Sequence, residues 1–212
     1  MANKIPLHLG AHPHHAEEFN AGRFQQLENL LKTNDLNITS VGEIGLDYSH
    51  KNFVDRNIQK QVFIQQVDLA KRYLMPLCLH MRDAYSDGLD ILSNQISPFH
   101  PIHLHCFRNS FQVAEEWMSK FPNLKFGVTA TVTRKNSEIL QHTVKKLPLE
   151  KIILETDGPF FPVDRSIRDY SLPTDILSIA EAVGDLKNEP KEKMLNYNIE
   201  NSKKIYFKFL KK

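Results

Sequence analysis

The sequence predicts an α/β fold in which a parallel sheet is flanked by helices. Short apolar runs of strand length alternate with longer segments in which apolar residues recur at helical spacing. Strand–helix alternation with buried strands is typical of parallel sheets covered by helices. No internal repeat, low-complexity tract or linker divides the chain. We therefore predict a single domain over residues 1–212.

Six apolar runs are candidate strands, and four stripes at helical spacing are the clearest candidate helices. The strands are Ile5–Gly10, Ser40–Ile44, Met75–His80, Ile102–Cys106, Leu124–Val128 and Lys151–Glu155. The helical stripes run over residues 58–74, 113–121, 172–183 and 194–210. Ser110 is placed to cap the second of these helices, and Pro190 to begin the last one.

Composition indicates a globular protein outside the membrane and the secretory pathway. Hydrophobic residues make up 41% and charged residues 25% of the chain, so it is neither disordered nor bilayer-spanning in character. The first residues lack the charged head and long apolar stretch of a secretory signal. Cys78 and Cys106 lie in apolar runs, which favours buried free thiols in a reducing compartment. We expect a cytoplasmic or nuclear protein with no membrane partner.

Residues that can bind metal end several of the predicted strands. Glu43, His80 and His105 lie at the ends of the second, third and fourth strands, and Asp157 follows the sixth. The carboxyl ends of parallel strands lie at one edge of the sheet, so these four side chains are expected to converge. Two imidazoles and two carboxylates form a plausible ligand set for a divalent ion that activates water.

Five sequence motifs, in order, resemble the TatD family of metal-dependent deoxyribonucleases. The most specific is VGEIGLDY at residues 41–48. The other four are GAHPHH at 10–15, LHMRDA at 79–84, LHCF at 104–107 and ILETDGPFF at 153–161. The resemblance extends from about Gly10 to the last predicted helix. It implies a TIM-type (β/α) barrel of the metallo-dependent hydrolase kind.

The resemblance also implies a role for each matching residue. Glu43 corresponds to the carboxylate that bridges two metal ions, and His80 and His105 to the histidines that complete one metal site. Asp157 corresponds to the aspartate that binds the other ion and manages the proton of the attacking water. Arg82, His12 and His14 correspond to positions that line the phosphate-binding pocket.

Three further residues lie close to this set in the sequence. Glu155 precedes Asp157 by two residues and His103 precedes His105 by two, so each is expected to share a strand face with its neighbour. We predict that both support the metal ligands from outside. Asp47 is expected only to organise the turn that follows its strand.

The chain departs from the family pattern at its beginning. Family members open with a strand that carries a His-x-His pair of metal ligands, and this sequence opens at what resembles the third strand. We therefore expect an incomplete or open barrel with Ile5–Gly10 and Lys151–Glu155 as exposed edges, which favour self-association. We also expect one retained metal site, formed by Glu43, His80 and His105, and a second that is weak or empty.

The predicted function is metal-dependent hydrolysis of phosphodiester bonds in DNA, as an exonuclease or endonuclease, with RNA as a further substrate. Mg²⁺ or Mn²⁺ suits phosphate chemistry, and the histidines also accept Zn²⁺. Two alternatives stay open. One is a catalytically impaired remnant that binds nucleic acid or a partner subunit without turnover, and the other is a hydrolase of a small phosphodiester or an amide.

Overall fold

The computed structural model describes residues 5–33, 37–49, 51 and 53–206, and these form a parallel α/β fold. Six strands belong to one sheet, and their order in the sheet is their order in the chain. The strands are β1 (Leu7–Leu9), β2 (Ile38–Asp47), β3 (Leu77–Arg82), β4 (Ile102–His105), β5 (Lys125–Val128) and β6 (Ile152–Leu154). The predicted fold class is confirmed.

Helices follow the strands in the regular alternation that the sequence predicts. They are α1 (Ala21–Thr33), α2 (Arg56–Arg72), α3 (Tyr85–Gln95), α4 (Phe111–Lys120), α5 (Glu138–Lys146), α6 (Ile176–Lys187) and α7 (Lys191–Tyr206). Short 3-10 helices cover Pro13–Glu18, Ala130–Thr133, Leu149–Lys151 and Pro173–Asp175. Among the described residues, each helix is too short or too polar to cross a lipid bilayer.

Helix boundaries follow from local capping chemistry. The Asp55 side chain accepts hydrogen bonds from the amides of Asn57 and Ile58, and so caps α2. The Ser110 hydroxyl accepts from the Val113 amide at 3.4 Å, which confirms the predicted cap of α4. Helix α6 ends at Asn188, whose φ of 54° is the left-handed conformation that terminates helices. The Pro190 carbonyl accepts from the first turn of α7, also as predicted.

Strand β2 is the longest strand of the described sheet and is buried along almost its whole length. It was predicted as Ser40–Ile44, whereas the structure extends it to Ile38–Asp47 with nearly every residue buried. Gly42 and Gly45 interrupt the apolar pattern and lower the apparent strand propensity of this segment. The last predicted helix, over residues 194–210, corresponds to α7, which the structure describes as far as Tyr206. The predicted continuation to Leu210 lies outside the described residues.

The chain divides into two compact units. The first comprises the described residues up to His103, the short segment Lys120–Asn123 and residues 204–206. In this unit β1 pairs with β2 and β2 with β3, all in parallel, and Phe63 and Val67 of α2 are fully buried. The second comprises Leu104–Ser119 and Leu124–Lys203, in which β5 pairs in parallel with β6.

Candidate metal centre

Three side chains of types that can bind metal lie close together in the first unit. His12, Glu43 and His80 each offer one ligand atom, and these atoms lie within 4.8 Å of one another. All three side chains are half-buried. They come from the segment after β1, from β2 and from the end of β3, so adjacent parallel strands bring them to one edge.

Gly45 explains why β2 and β3 come close enough to build this cluster. Its φ of 144° is a conformation that L side chains rarely adopt, and a Cβ atom here would overlap the carbonyl oxygen of His80. Glu43 and Asp47 lie two residues on either side of Gly45. Both carboxylates face His80, with Glu43 Oε2 4.0 Å from Nδ1 and Asp47 Oδ2 3.2 Å from Nε2.

Asp47 contributes more to this site than the sequence indicated. Its Oδ1 accepts from the Ser49 amide at 2.9 Å, which is the predicted turn. Its Oδ2 also lies 2.9 Å from His14 Nε2, beside the contact with His80. Burial opposes ionisation, but hydrogen bonds from His80, Ser49 and His14 together hold the Asp47 pKa well below its usual range. Asp47 is therefore a buried carboxylate that orients two histidines.

His12 lies in the cluster as a neutral ring. Burial, together with the neighbouring His80 and His14, lowers its pKa from 6.5 to about 3. Its Nδ1 accepts a hydrogen bond from the His14 amide at 3.2 Å. A neutral imidazole that accepts at Nδ1 carries its proton on Nε2, so the free nitrogen of His12 is a donor in this arrangement.

A second cluster lies in the second unit at the ends of β4 and β6. His105, Cys106 and Asp157 offer ligand atoms within 4.8 Å of one another. His105 Nε2 is 3.5 Å from Asp157 Oδ1, and His105 Nδ1 is 3.0 Å from Glu155 Oε2. The other oxygen of Glu155 accepts from the Cys106 amide at 2.5 Å. Glu155 thus fixes both the ring and the backbone beside it.

The backbone of this second cluster is strained at two positions. Cys106 and Asp157 have φ values of 45° and 55°, in the left-handed region that non-glycine residues seldom occupy. Each such residue costs about 1–3 kcal/mol, and such residues concentrate at functional sites. Cys106 is a free thiol, as predicted, but it is half-buried and not buried, because it lies just beyond the end of β4. The partial loss of contact with water and the nearby Glu155 carboxylate raise the pKa of this thiol to about 12.

The remaining predicted residues take the following positions. Arg82 ends β3 and is half-buried, and His14 is exposed beside Asp47. His103 is buried and its Nδ1 lies 2.5 Å from the Tyr206 hydroxyl. The predicted ligand set of Glu43, His80 and His105 draws on both units, and it stays a prediction.

Imidazole nitrogens and carboxylate oxygens in both clusters match the ligands of Mn²⁺ and Zn²⁺, and the carboxylates also suit Mg²⁺. In the first cluster Asp47 contacts Nε2 of His80, and in the second Glu155 contacts Nδ1 of His105. A carboxylate on the ring nitrogen that does not bind the metal is the arrangement that orients metal-binding histidines. Asp47 was not predicted in this role. Its spacing of four residues from Glu43 on one strand was the signal that could have revealed it.

Comparison with known proteins gives a consistent family assignment. The family model described as TatD related DNase matches residues 1–207. The human 3'-5' RNA nuclease TATDN2 is 33% identical over 201 residues, which cover 93% of this chain and 26% of the human protein. The uncharacterized metal-dependent hydrolase YabD of Bacillus subtilis is 33% identical over 169 residues, which cover 80% of this chain and 65% of YabD. The chain thus spans less than two thirds of either relative.

A solved structure supports the same assignment at the level of the fold. The TatD homolog YJJV from Escherichia coli superposes with a TM-score of 0.85 at 28% identity. The superposition covers 94% of this chain and 76% of the bacterial one. The predicted (β/α) barrel family is therefore confirmed.

Proposed function

From the premise that this chain belongs to the TatD related DNase family, we propose that it is a metal-dependent phosphodiesterase that cleaves DNA. RNA is a second substrate in this proposal, because the human relative is named a 3'-5' RNA nuclease and a relative from Pectobacterium atrosepticum a 3'-5' ssDNA/RNA exonuclease. A cytoplasmic or nuclear location also remains a prediction.

The observation that carries the proposal is the repeated pairing of a histidine with an outer carboxylate. Asp47 binds one nitrogen of His80, and Glu155 binds one nitrogen of His105. In both cases the other nitrogen faces a second carboxylate, Glu43 or Asp157. Such preorganisation costs conformational freedom and is expected of ligands that must hold a cation in a fixed geometry.

A bound divalent ion would polarise a phosphate oxygen and lower the pKa of a water molecule. Glu43, His80, His105 and Asp157 are the proposed ligands, with Mg²⁺ or Mn²⁺ as the ion and Zn²⁺ as an alternative. Glu43, His80 and His105 form the proposed retained site, and the site that relies on Asp157 is the weaker one. This predicts a single tightly bound ion per chain.

The chain's own groups have distinct proposed tasks. Asp157 accepts the proton of the attacking water, since its carboxylate is half-buried and adjoins His105. The Nε2–H of neutral His12 donates to a phosphate oxygen, a role that its contact with the His14 amide favours over metal binding. Arg82 contributes further donors to the phosphate, and His14, whose Nε2 contacts Asp47, lines the same proposed pocket. Glu155 supports His105 from behind. The same supporting role stays a prediction for His103, whose Nδ1 contacts the Tyr206 hydroxyl.

Hydrolysis of bis(p-nitrophenyl) phosphate tests this chemistry without the contribution of nucleic-acid binding. We expect turnover with Mn²⁺ and its loss in EDTA, in Glu43→Gln and in Asp157→Asn. We expect His12→Gln to raise KM while leaving bound Mn²⁺ unchanged. A folded chain that binds no ion and shows no turnover would instead favour the alternative, a remnant that binds nucleic acid or a partner without catalysis.

A further inference from the structure

Two arginines contact one aromatic ring in the second unit, and a third arginine lies close enough to affect the charge of one of them. Arg108 follows β4, Arg134 follows the 3-10 helix after β5, and Arg165 lies in the segment after β6. The guanidinium carbon of Arg108 is 5.3 Å from the centre of the Phe161 ring, and that of Arg134 is 5.2 Å from it. These distances are typical of cation–π contacts.

None of the three guanidinium groups has an anionic partner in the part of the chain that the structure describes. Arg134 is half-buried, and its Nη2 is a buried donor without a hydrogen-bond acceptor among those residues. Burial, together with Arg165 and Arg108 nearby, lowers the Arg134 pKa below its usual value. Leaving a buried donor unsatisfied and placing like charges together are both unfavourable, so this cluster is suited to an anion.

A fourth arginine in the same segment shows the contrast. Arg168 forms an ion pair with the buried carboxylate of Asp175, and its Nε donates to the Tyr170 carbonyl at 2.9 Å. Its charge is therefore satisfied inside the unit. No such carboxylate partner is found among the described residues for Arg108, Arg134 or Arg165. These arginines lie on the segments that follow β4, β5 and β6, which are neighbours in the sheet order.

One aromatic residue of this cluster has an unusual backbone conformation, and its neighbour is exposed. Phe161 has a φ of 53°, which is an outlier for a bulky side chain and costs about 1–3 kcal/mol. Phe160, directly before it, is 65% exposed to solvent. Phe160 thus presents an exposed ring one residue before the ring that two unpaired arginines contact. Aromatic rings on which bases stack, together with cations that pair with phosphates, are how proteins bind single-stranded nucleic acid.

We propose that Arg108, Arg134 and Arg165, with Phe160 and Phe161, form a binding site for the backbone of single-stranded nucleic acid. Arg108 and Arg134 each contact a phosphodiester oxygen, and Phe160 stacks on a base. Arginine suits this task because its planar group offers several donors to one phosphate. The proposal rests on the proposed function only in taking nucleic acid as the ligand.

Binding of a short labelled single-stranded oligonucleotide, measured by fluorescence anisotropy in EDTA, tests the site without turnover. The double variant Arg108→Gln/Arg134→Gln should bind the oligonucleotide at least about 10-fold more weakly. The slope of its log Kd plotted against log salt concentration should fall by about 1.4, because each phosphate contact on a single strand contributes about 0.7 to that slope. Phe160→Ala should weaken binding about tenfold at an unchanged slope. The charge-conserving Arg108→Lys/Arg134→Lys should keep the slope.

Lys146→Gln is the matched control, because Lys146 is an exposed cation 5.1 Å from the ring of Phe111. We expect it to leave the slope unchanged. Equal slopes for the wild type, the control and the double glutamine variant would overturn the proposal. So would displacement of the oligonucleotide by inorganic phosphate as effectively as by unlabelled oligonucleotide. Hydrolysis of bis(p-nitrophenyl) phosphate by the wild type reports separately on the proposed function.

Discussion

At the scale of single residues, Asp47 and Glu155 make the same two kinds of contact. Each carboxylate contacts one ring nitrogen of a strand-end histidine and also a backbone amide, that of Ser49 or Cys106. The amide fixes the carboxylate, and the carboxylate fixes the ring. Such second contacts typically change metal affinity or activity by about 10–100-fold when removed. Glu155 was predicted from its spacing to Asp157, whereas Asp47 was assigned only to a turn.

Replacing Asp47 by Asn should therefore weaken metal binding as well as folding. The anionic acceptor of His80 and His14 is lost, and the buried amide cannot satisfy both rings and the Ser49 amide. We expect the free energy of unfolding to fall by about 1–3 kcal/mol and Mn²⁺ affinity to fall about 10–100-fold. Urea unfolding and calorimetric titration measure these two quantities. Asp90→Asn, at an exposed position of α3, is the control, and equal effects of the two substitutions would contradict the assignment.

Asp175 gives a pH-dependent prediction at the same scale. A hydrogen bond from Arg168 is the main cause that lowers its pKa, assisted by the Leu172 amide. A carboxyl whose folded pKa is depressed adds stability above its unfolded pKa of about 3.9, and this contribution disappears as pH falls below that value. Asp175→Asn should cost about 1 kcal/mol at pH 7 and progressively less below pH 4.

Unfolding curves of wild type and Asp175→Asn across pH 2–8 test this expectation. The exposed Asp169, in the same segment, supplies the control Asp169→Asn. A difference between wild type and Asp175→Asn that stays constant into acid would show that the charge of Asp175 is not what stabilises the protein.

The elements that the sequence predicted best are those with buried apolar runs. All six strands were found because their residues are apolar and flanked by polar segments. Helix α1 gave a weaker signal, since only Leu27 and Leu31 are buried along it. The contacts made by the segment after β6, which carries Phe161 and Arg168, depend on tertiary packing and leave no periodic pattern. The close approach of β2 to β3 at Gly45 could not be predicted either, because a glycine within a strand has several structural explanations.

Gly45→Ala tests whether this close approach of β2 to β3 builds the first cluster. The new methyl group would overlap the His80 carbonyl, and φ at this position is unfavourable for alanine. We expect a loss of more than about 2 kcal/mol in the free energy of unfolding, measured by urea unfolding. Gly22→Ala, in the exposed first turn of α1, should be neutral or stabilising by up to about 1 kcal/mol. A tolerated Gly45→Ala would mean that the strands can separate without loss.

At the scale of the whole molecule, the family and the fold class were accessible from sequence because ordered motifs mark the ends of the strands. The arrangement of ligands into sites was not, because it depends on side-chain directions that strand parity alone does not determine. The sequence predicts His12 at the phosphate, which stays a prediction, and the structure also places one of its ring nitrogens within 4.8 Å of ligand atoms of Glu43 and His80. Open edges and self-association remain predictions. Strands β1 and β6 are the two ends of the sheet order.

The most direct test of metal-dependent nucleic-acid hydrolysis is cleavage of a labelled single-stranded DNA oligonucleotide by the purified chain, with an RNA of the same sequence alongside. Reactions contain Mg²⁺ or Mn²⁺, or EDTA, and Glu43→Gln and Asp157→Asn are run in parallel to exclude a contaminating nuclease. We predict cleavage that requires the metal and is lost in both variants. Cleavage that persists in EDTA or in both variants, or no cleavage by a folded chain, would contradict it.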